Sequence, residues 1–164
     1  AATDELTRIA NRRAITATGA ACFDTARQEG TSFAVAIADI DHFKSINDRF
    51  GHDIGDLALQ HIAGVLDKHS RGANRVGRQG GEEFVALFER TTASEAREAA
   101  ERLRRAVEAT QFTGAGEPLT ITISIGVDVI RDSDKSYEDM LRRADQALYA
   151  AKAGGRNCVR LSEA

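Results

Sequence analysis

Three carboxylates carry the sharpest chemical signal in the sequence. Two are adjacent, Glu82 and Glu83, and follow directly on Gly80-Gly81. The third, Asp39, closes the apolar run Phe33-Ala34-Val35-Ala36-Ile37-Ala38. Carboxylates gathered in one partly buried place repel each other, by about 4 kcal/mol for each pair ~4 Å apart at an effective dielectric near 20. A divalent cation removes that cost. An all-oxygen ligand set favours Mg²⁺ or Mn²⁺ over zinc, and Mg²⁺ commonly shares its shell with substrate phosphates.

The elements that must bring these groups together can be read from pattern. Gly80-Gly81 lies between two strand-like runs, Asn74 to Arg78 and Phe84 to Phe88. A glycine pair there predicts a tight hairpin, because both residues accept positive φ and leave the backbone open to a ligand. The run ending at Asp39 has the pattern of a strand covered on both faces. A carboxylate at the C-terminal end of such a strand often serves a ligand in α/β folds, and the plainer role is to cap the next turn. Asn11 predicts the N-cap of a helix running to about Gln28 and stopping at Gly30. Phe43 to Phe50 and Ile54 to Ser70 read as two more helices. Thr92 to Thr110 reads as another, with Thr92 and Glu95 at capping-box spacing. Thr120 to Ile125 alternates as a strand and continues through Gly126-Val127. A last helix, with Ser136 and Asp139 as candidate caps, ends at Gly154-Gly155 and leads to a strand over 157–161. The predicted class is α/β, with a mixed central sheet flanked by helices around a ferredoxin-like core.

The chain has 164 residues, enough for one domain with a sizeable core. Its hydrophobic content of 42% and charged content of 29% are those of a globular protein. A net charge of −3 gives no basic surface for sequence-independent binding of nucleic acid. No apolar stretch is long enough to span a bilayer. Cys22 and Cys158 lack metal-ligand spacing and read as reduced, buried thiols.

Gly80-Gly81-Glu82-Glu83-Phe84, set among these elements, resembles the signature of the GGDEF family, the diguanylate cyclases. Three more stretches match in the family's order: Asp4-Glu5-Leu6-Thr7 with Asn11-Arg12, the long run Asp39 to Asp56, and Lys152-Ala153-Gly154-Gly155-Arg156-Asn157. The motifs span residues 4–159, so the resemblance implies one GGDEF catalytic domain over 1–164 with a nucleotide-cyclase-like core. Gln79 departs from the pattern, standing where the family usually has an aromatic residue.

The resemblance implies condensation of two GTP into cyclic di-GMP, with loss of two pyrophosphates, between two subunits that each hold one GTP. Asp39, Glu82 and the Ile40 carbonyl correspond to metal ligands for Mg²⁺ or Mn²⁺, two ions per GTP. Glu83 corresponds to a residue at the reacting 3′-hydroxyl or the second metal. Phe43, His52 and Gly81 fall in the substrate region; His52 can equally be a plain helix start. Lys44, Lys152 and Arg156 correspond to phosphate-binding cations. Asn47 and Asp56 correspond to the readers of guanine, which offers donors at N1 and N2 to an acceptor-only carboxylate. Arg71, Asn74 and Arg102 fall at the family's inhibitory c-di-GMP site, weakened here because asparagine replaces its aspartate. The implied partners are GTP, c-di-GMP and a second copy of the domain, with no direct membrane contact. A cytoplasmic catalytic domain is expected, with a sensory domain ahead of it in the full protein, which could be membrane-anchored. The rival reading is a silent GTP-binding or c-di-GMP-binding regulatory module.

Overall fold

The structure, a computed structural model, describes residues 1–70 and 75–164. In chain order the elements are α1 (Arg12–Glu29), β1 (Phe33–Ile40), α2 (Phe43–Phe50), α3 (His52–Lys68), β2 (Arg75–Gly80), β3 (Glu83–Glu89), α4 (Ala93–Ala109), β4 (Ile123–Val129), α5 (Tyr137–Ala153) and β5 (Val159–Leu161). The sheet order is β2-β3-β1-β4-β5. The first four strands in this order each run antiparallel to their neighbours and have the ferredoxin-like arrangement, while β5 pairs in parallel with β4. The sheet is therefore mixed, as its sequence pattern predicts.

Strand alternation divides the core into two layers. Ala34, Ala36, Ala38 and Ile40 of β1 pack with Phe84, Ala86 and Phe88 of β3 beneath α3 and α4. Phe33, Val35 and Ile37 pack with Val85 and Leu87 beneath α1 and α5. All eight residues of β1 are buried, which is why its sequence shows a continuous apolar run and no alternation. Helix α5 lies very close to β4. A Cβ at Gly126 would stand 2.2 Å from both Ala144 O and Leu148 N, so only glycine admits this approach. Phe84, 1% exposed, anchors the signature hairpin in the first layer; truncation to alanine should cost about 3–5 kcal/mol.

Local signals explain most boundaries. Asn11 caps α1 by accepting from the Ala14 N–H at 2.9 Å, and Gly30 ends it at φ 66°. Thr92 and Glu95 form the reciprocal capping box of α4. Three expectations need correction. Ser136 makes no side-chain cap bond; Asp139 instead accepts from the Lys135 N–H at 2.9 Å. β4 begins at Ile123, not Thr120, because Thr122 already bonds Asp41 through both its carbonyl and its hydroxyl. The hairpin is shifted as well. Gly80 pairs with Glu83, so the turn residues are Gly81 and Glu82, with Gly81 at φ 47°. A register break between Arg78 and Gly80 leaves Gln79 as the extra residue of a bulge, which moves the turn one position along the chain. Of the two thiols, Cys22 is buried and Cys158 only half-buried.

Candidate active site

Strand parity assembles the carboxylates. Asp39 of β1 lies directly opposite Glu83 of β3. Both share the parity of Val35, Ile37, Val85 and Leu87, and so face α1 and α5. Glu82, in the turn, is held to β1 by its carbonyl, which accepts from the Ile40 N–H at 3.3 Å. Arg12, Asp39, Gln79, Gly80, Gly81, Glu82 and Glu83 line an open cleft of about 330 Å³. From the last turn of α5, the Lys152 ammonium reaches Asp39 Oδ2 at 2.5 Å.

The electrostatics are those of crowded acids. Burial is the largest influence on Asp39, 5% exposed, and raises its carboxyl above the ordinary range. The Lys152 bond opposes this, while Glu82 and Asp41 add to it. Glu83 is also raised, by burial first, then by the charges of Asp39 and Asp145, against a counteracting pull from Lys152.

The donor set fits a hard divalent cation: all oxygen, excess negative charge, and two carboxyls, Asp39 and Glu83, raised first by burial. The three acids do not stand ready-made around one point, however. Among the described residues no group of three His, Cys, Asp or Glu side chains is close enough to hold an ion. Lys152 occupies Asp39 instead, neutralising the most buried of the three, while Glu82 and Glu83 stay half-exposed at the rim.

A second region lies between α2 and α3. Asn47 Oδ1 is buried and has no hydrogen-bond partner. An orphaned carbonyl of this kind is uncommon and marks a place where a donor is wanted. It sits over Gly55, where a Cβ would come within 1.8 Å of it and 3.5 Å of Phe43 Cζ. Asp56, next in the chain, is exposed, as is His52 in the first turn of α3. Phe43 is half-buried against the first core layer.

The predicted cations are less uniform. Lys44 is largely solvent-exposed and pairs with Asp48 at 2.7 Å, four residues along α2. Arg156 is exposed in the loop after α5 with φ 65°. Arg102 is exposed on α4, whereas Arg71 and Asn74 lie outside the described residues.

Three residues around the site are not singled out by sequence reasoning. Arg12 lines the cleft from the first turn of α1. Asp41, 6% exposed, binds Thr122, Ser124 and Asn157. Arg78 donates twice to the Gly81 carbonyl, at 3.0 and 2.8 Å, and pairs with Asp4 at 3.2 Å. Asp4 in turn accepts from the Thr7 N–H and hydroxyl, so the N-terminal turn is tied to the hairpin. Burial pushes the Asp4 carboxyl up, but Thr7 and Arg78 together bring it below the ordinary range. The spacing of Asp4 and Thr7 is visible in the sequence; their partner 74 residues away is not.

Comparison with known proteins agrees with this fold. The family described as "Diguanylate cyclase, GGDEF domain" matches residues 1–158. Diguanylate cyclase DgcP of Pseudomonas aeruginosa is 44% identical over 157 residues, covering 96% of this chain but only 23% of that protein's length. The GGDEF domain of DgcB from Caulobacter crescentus, solved in complex with c-di-GMP, superposes with a TM-score of 0.93 at 36% identity, covering 99% of this chain and 94% of that one. The active GGEEF domain of a diguanylate cyclase from Vibrio cholerae superposes with a TM-score of 0.87 at 35% identity, covering 94% and 97%. No helix among the described residues is long and apolar enough to cross a membrane. From its signature hairpin, its ferredoxin-like sheet and these matches, the chain belongs to the GGDEF family of diguanylate cyclase domains.

Proposed function

We propose that this domain is an active diguanylate cyclase, condensing two GTP into c-di-GMP with release of two pyrophosphates. The observation that carries the proposal is the gathering of Asp39, Glu82 and Glu83 around one open cleft, with a Lys152 ion pair beside them. A degenerate, silent module has no need of three mutually repelling acids lining one cleft.

Each subunit binds one GTP as a half-site. Asn47 and Asp56 read the base: the unpartnered Asn47 carbonyl takes a donor from guanine, and the Asp56 carboxylate accepts from its neighbour. Phe43 and His52 border the base, and the open backbone at Gly81 admits the nucleotide. Lys152 and Arg156 meet the triphosphate, and Lys44 turns from its exposed pair with Asp48 toward it. Asp39, Glu82, Glu83 and the Ile40 carbonyl would hold Mg²⁺ or Mn²⁺, with Lys152 passing from Asp39 to phosphate. Such ions, two per GTP, supply Lewis acidity at the phosphates and at the attacking hydroxyl.

Two subunits face each other with their nucleotides antiparallel. The 3′-oxygen of each GTP forms a bond to the α-phosphorus of the other, and the bond from that phosphorus to the bridging oxygen breaks. Glu83, half-buried and held above the usual carboxylate range, accepts the hydroxyl proton. The domain works in the cytoplasm, where GTP is found, under control of a sensory domain in the full protein.

Incubation with GTP and Mg²⁺ tests the reading. One c-di-GMP should appear for every two pyrophosphates. GTP binding without either product would overturn it in favour of a silent module.

A further inference from the structure

Asp41 is a buried carboxylate with no part in the scheme above, although it directly follows the strand that carries Asp39. Its Oδ1 accepts from the Ser124 hydroxyl at 2.6 Å. Its Oδ2 accepts from the Thr122 hydroxyl at 2.7 Å and from the Asn157 N–H at 3.0 Å. The Asn157 N–H also lies 3.2 Å from Ser124 Oγ. The Asp41 N–H donates to the Thr122 carbonyl at 2.9 Å. One carboxylate thus joins the end of β1, the start of β4 and the loop that leaves α5.

That loop carries one phosphate cation, Arg156, and follows directly on the helix turn that carries the other, Lys152. Lys152 stands just before it, in the last turn of α5, bonded to Asp39, and Asn157 at its end, bonded to Asp41. Between them Gly155, Arg156 and Asn157 have φ of 113°, 65° and 45°. Two successive non-glycine residues in the left-handed region are disfavoured and persist only where their surroundings hold them. Asn157 is also gripped from α4: its Oδ1 accepts from Arg104 at 2.8 Å, and its Nδ2 donates to Glu108 at 2.7 Å. The Arg156 N–H donates to the Ala151 carbonyl at 3.0 Å, and the Asn157 N–H to Asp41 and Ser124, so the Asp41 network holds the backbone on the far side of Arg156 from α5.

We propose that Asp41 is a positioning residue for triphosphate binding. It touches no substrate. It holds the 154–157 loop in its left-handed path, and so sets where Arg156 stands beside the last turn of α5 that carries Lys152. The proposal rests on the reading of those two residues as phosphate cations.

The test compares GTP with GMP, which share the base and differ by two phosphates. In Asp41→Asn the carboxamide keeps the shape but has one acceptor where two served three donors. KM for GTP should rise about tenfold, with kcat within about twofold. GMP affinity should stay unchanged, as should the circular dichroism spectrum. Ser124→Ala, which removes one donor to Asp41 and the longer contact to the Asn157 N–H, should move KM the same way by about threefold. It also keeps the test alive should Asp41→Asn not fold. Arg156→Ala serves as the reference for a lost phosphate contact. Equal weakening of GTP and GMP, or an unchanged GTP affinity in folded variants, would overturn the positioning role alone. Unchanged GTP and GMP affinities in Arg156→Ala, or wild-type protein that binds GTP no better than GMP, would overturn the phosphate reading and this proposal with it.

Discussion

An alanine at position 55 would put its Cβ 1.8 Å from Asn47 Oδ1 and 3.0 Å from Asn47 Cγ. Neither helix can move apart cheaply, because α3 buries Ala58, Leu59 and Ile62 in the core. The clash is relieved if the short Asn47 side chain rotates away. Alanine in place of glycine within a helix gains about 0.5–1 kcal/mol, and an off-rotamer side chain costs about 0.5–1.5 kcal/mol, so stability should change by less than ~1 kcal/mol. Binding should suffer more. Asn47 can make two neutral hydrogen bonds to a guanine base, worth about 0.5–1.5 kcal/mol each, and both are lost on rotation. GTP affinity should therefore fall about 5- to 150-fold in Gly55→Ala while the melting temperature scarcely moves. Titration calorimetry with GTP and a thermal melt measure the two quantities. Asn47→Ala should lose a similar amount, and the double variant little more than either, because both remove the same contact. Full GTP affinity in a folded Gly55→Ala protein, or additive losses in the double variant, would refute the assignment of Asn47 to the base.

Glu82→Gln keeps the shape of the turn but removes a charge from the cleft; turnover should fall about 10²-fold or more, with circular dichroism unchanged, and near-normal turnover would remove Glu82 from the ion site. Asp56→Ala should weaken GTP by about 1.5–3 kcal/mol, roughly 10- to 150-fold, and leave ATP binding where it was; an unchanged GTP/ATP ratio by calorimetry would make Asp56 an ordinary helix residue. Glu83 has a raised carboxyl in the fold, caused first by burial and then by Asp39 and Asp145. The folded state then holds the proton more tightly than the unfolded chain, so ionised Glu83 costs stability as pH rises above the ordinary carboxylate range. Metal-free Glu83→Gln should melt higher than wild type at pH 7, by ~2–4 °C per kcal/mol relieved, and the gap should close toward pH ~4; a constant gap would show that ionisation is not its cause.

How far these features could be read from the sequence depends on how local their causes are. The caps at Asn11 and Thr92, the buried strand before Asp39 and the glycine hairpin rest on contacts a few residues apart, and the chain states them openly. The turn lies one residue beyond the glycine pair's centre because of a bulge at Gln79, which has no compositional mark. The Thr120–Val127 alternation lies over a strand that runs Ile123–Val129, and the start of that strand depends on Asp41, some 80 residues earlier. The pairing of Asp39 with Lys152 spans 113 positions, and Arg12 enters the cleft only because α1 packs beside the hairpin. Motif resemblance brought Asp39, Glu82, Glu83 and Lys152 to attention separately. Only the sheet register puts Asp39 opposite Glu83, and only the close seat of α5 on Gly126 brings Lys152 to Asp39.

The half-site mechanism is tested most directly by the rate of c-di-GMP formation across a dilution series, with the monomer and dimer fractions measured by sedimentation at each concentration. Two GTP-loaded subunits must meet for either bond to form, so the rate should rise with the square of protein concentration where monomer dominates, and specific activity should level off where dimer does. A specific activity that stays constant through dilutions shown to contain only monomer would contradict catalysis between two subunits.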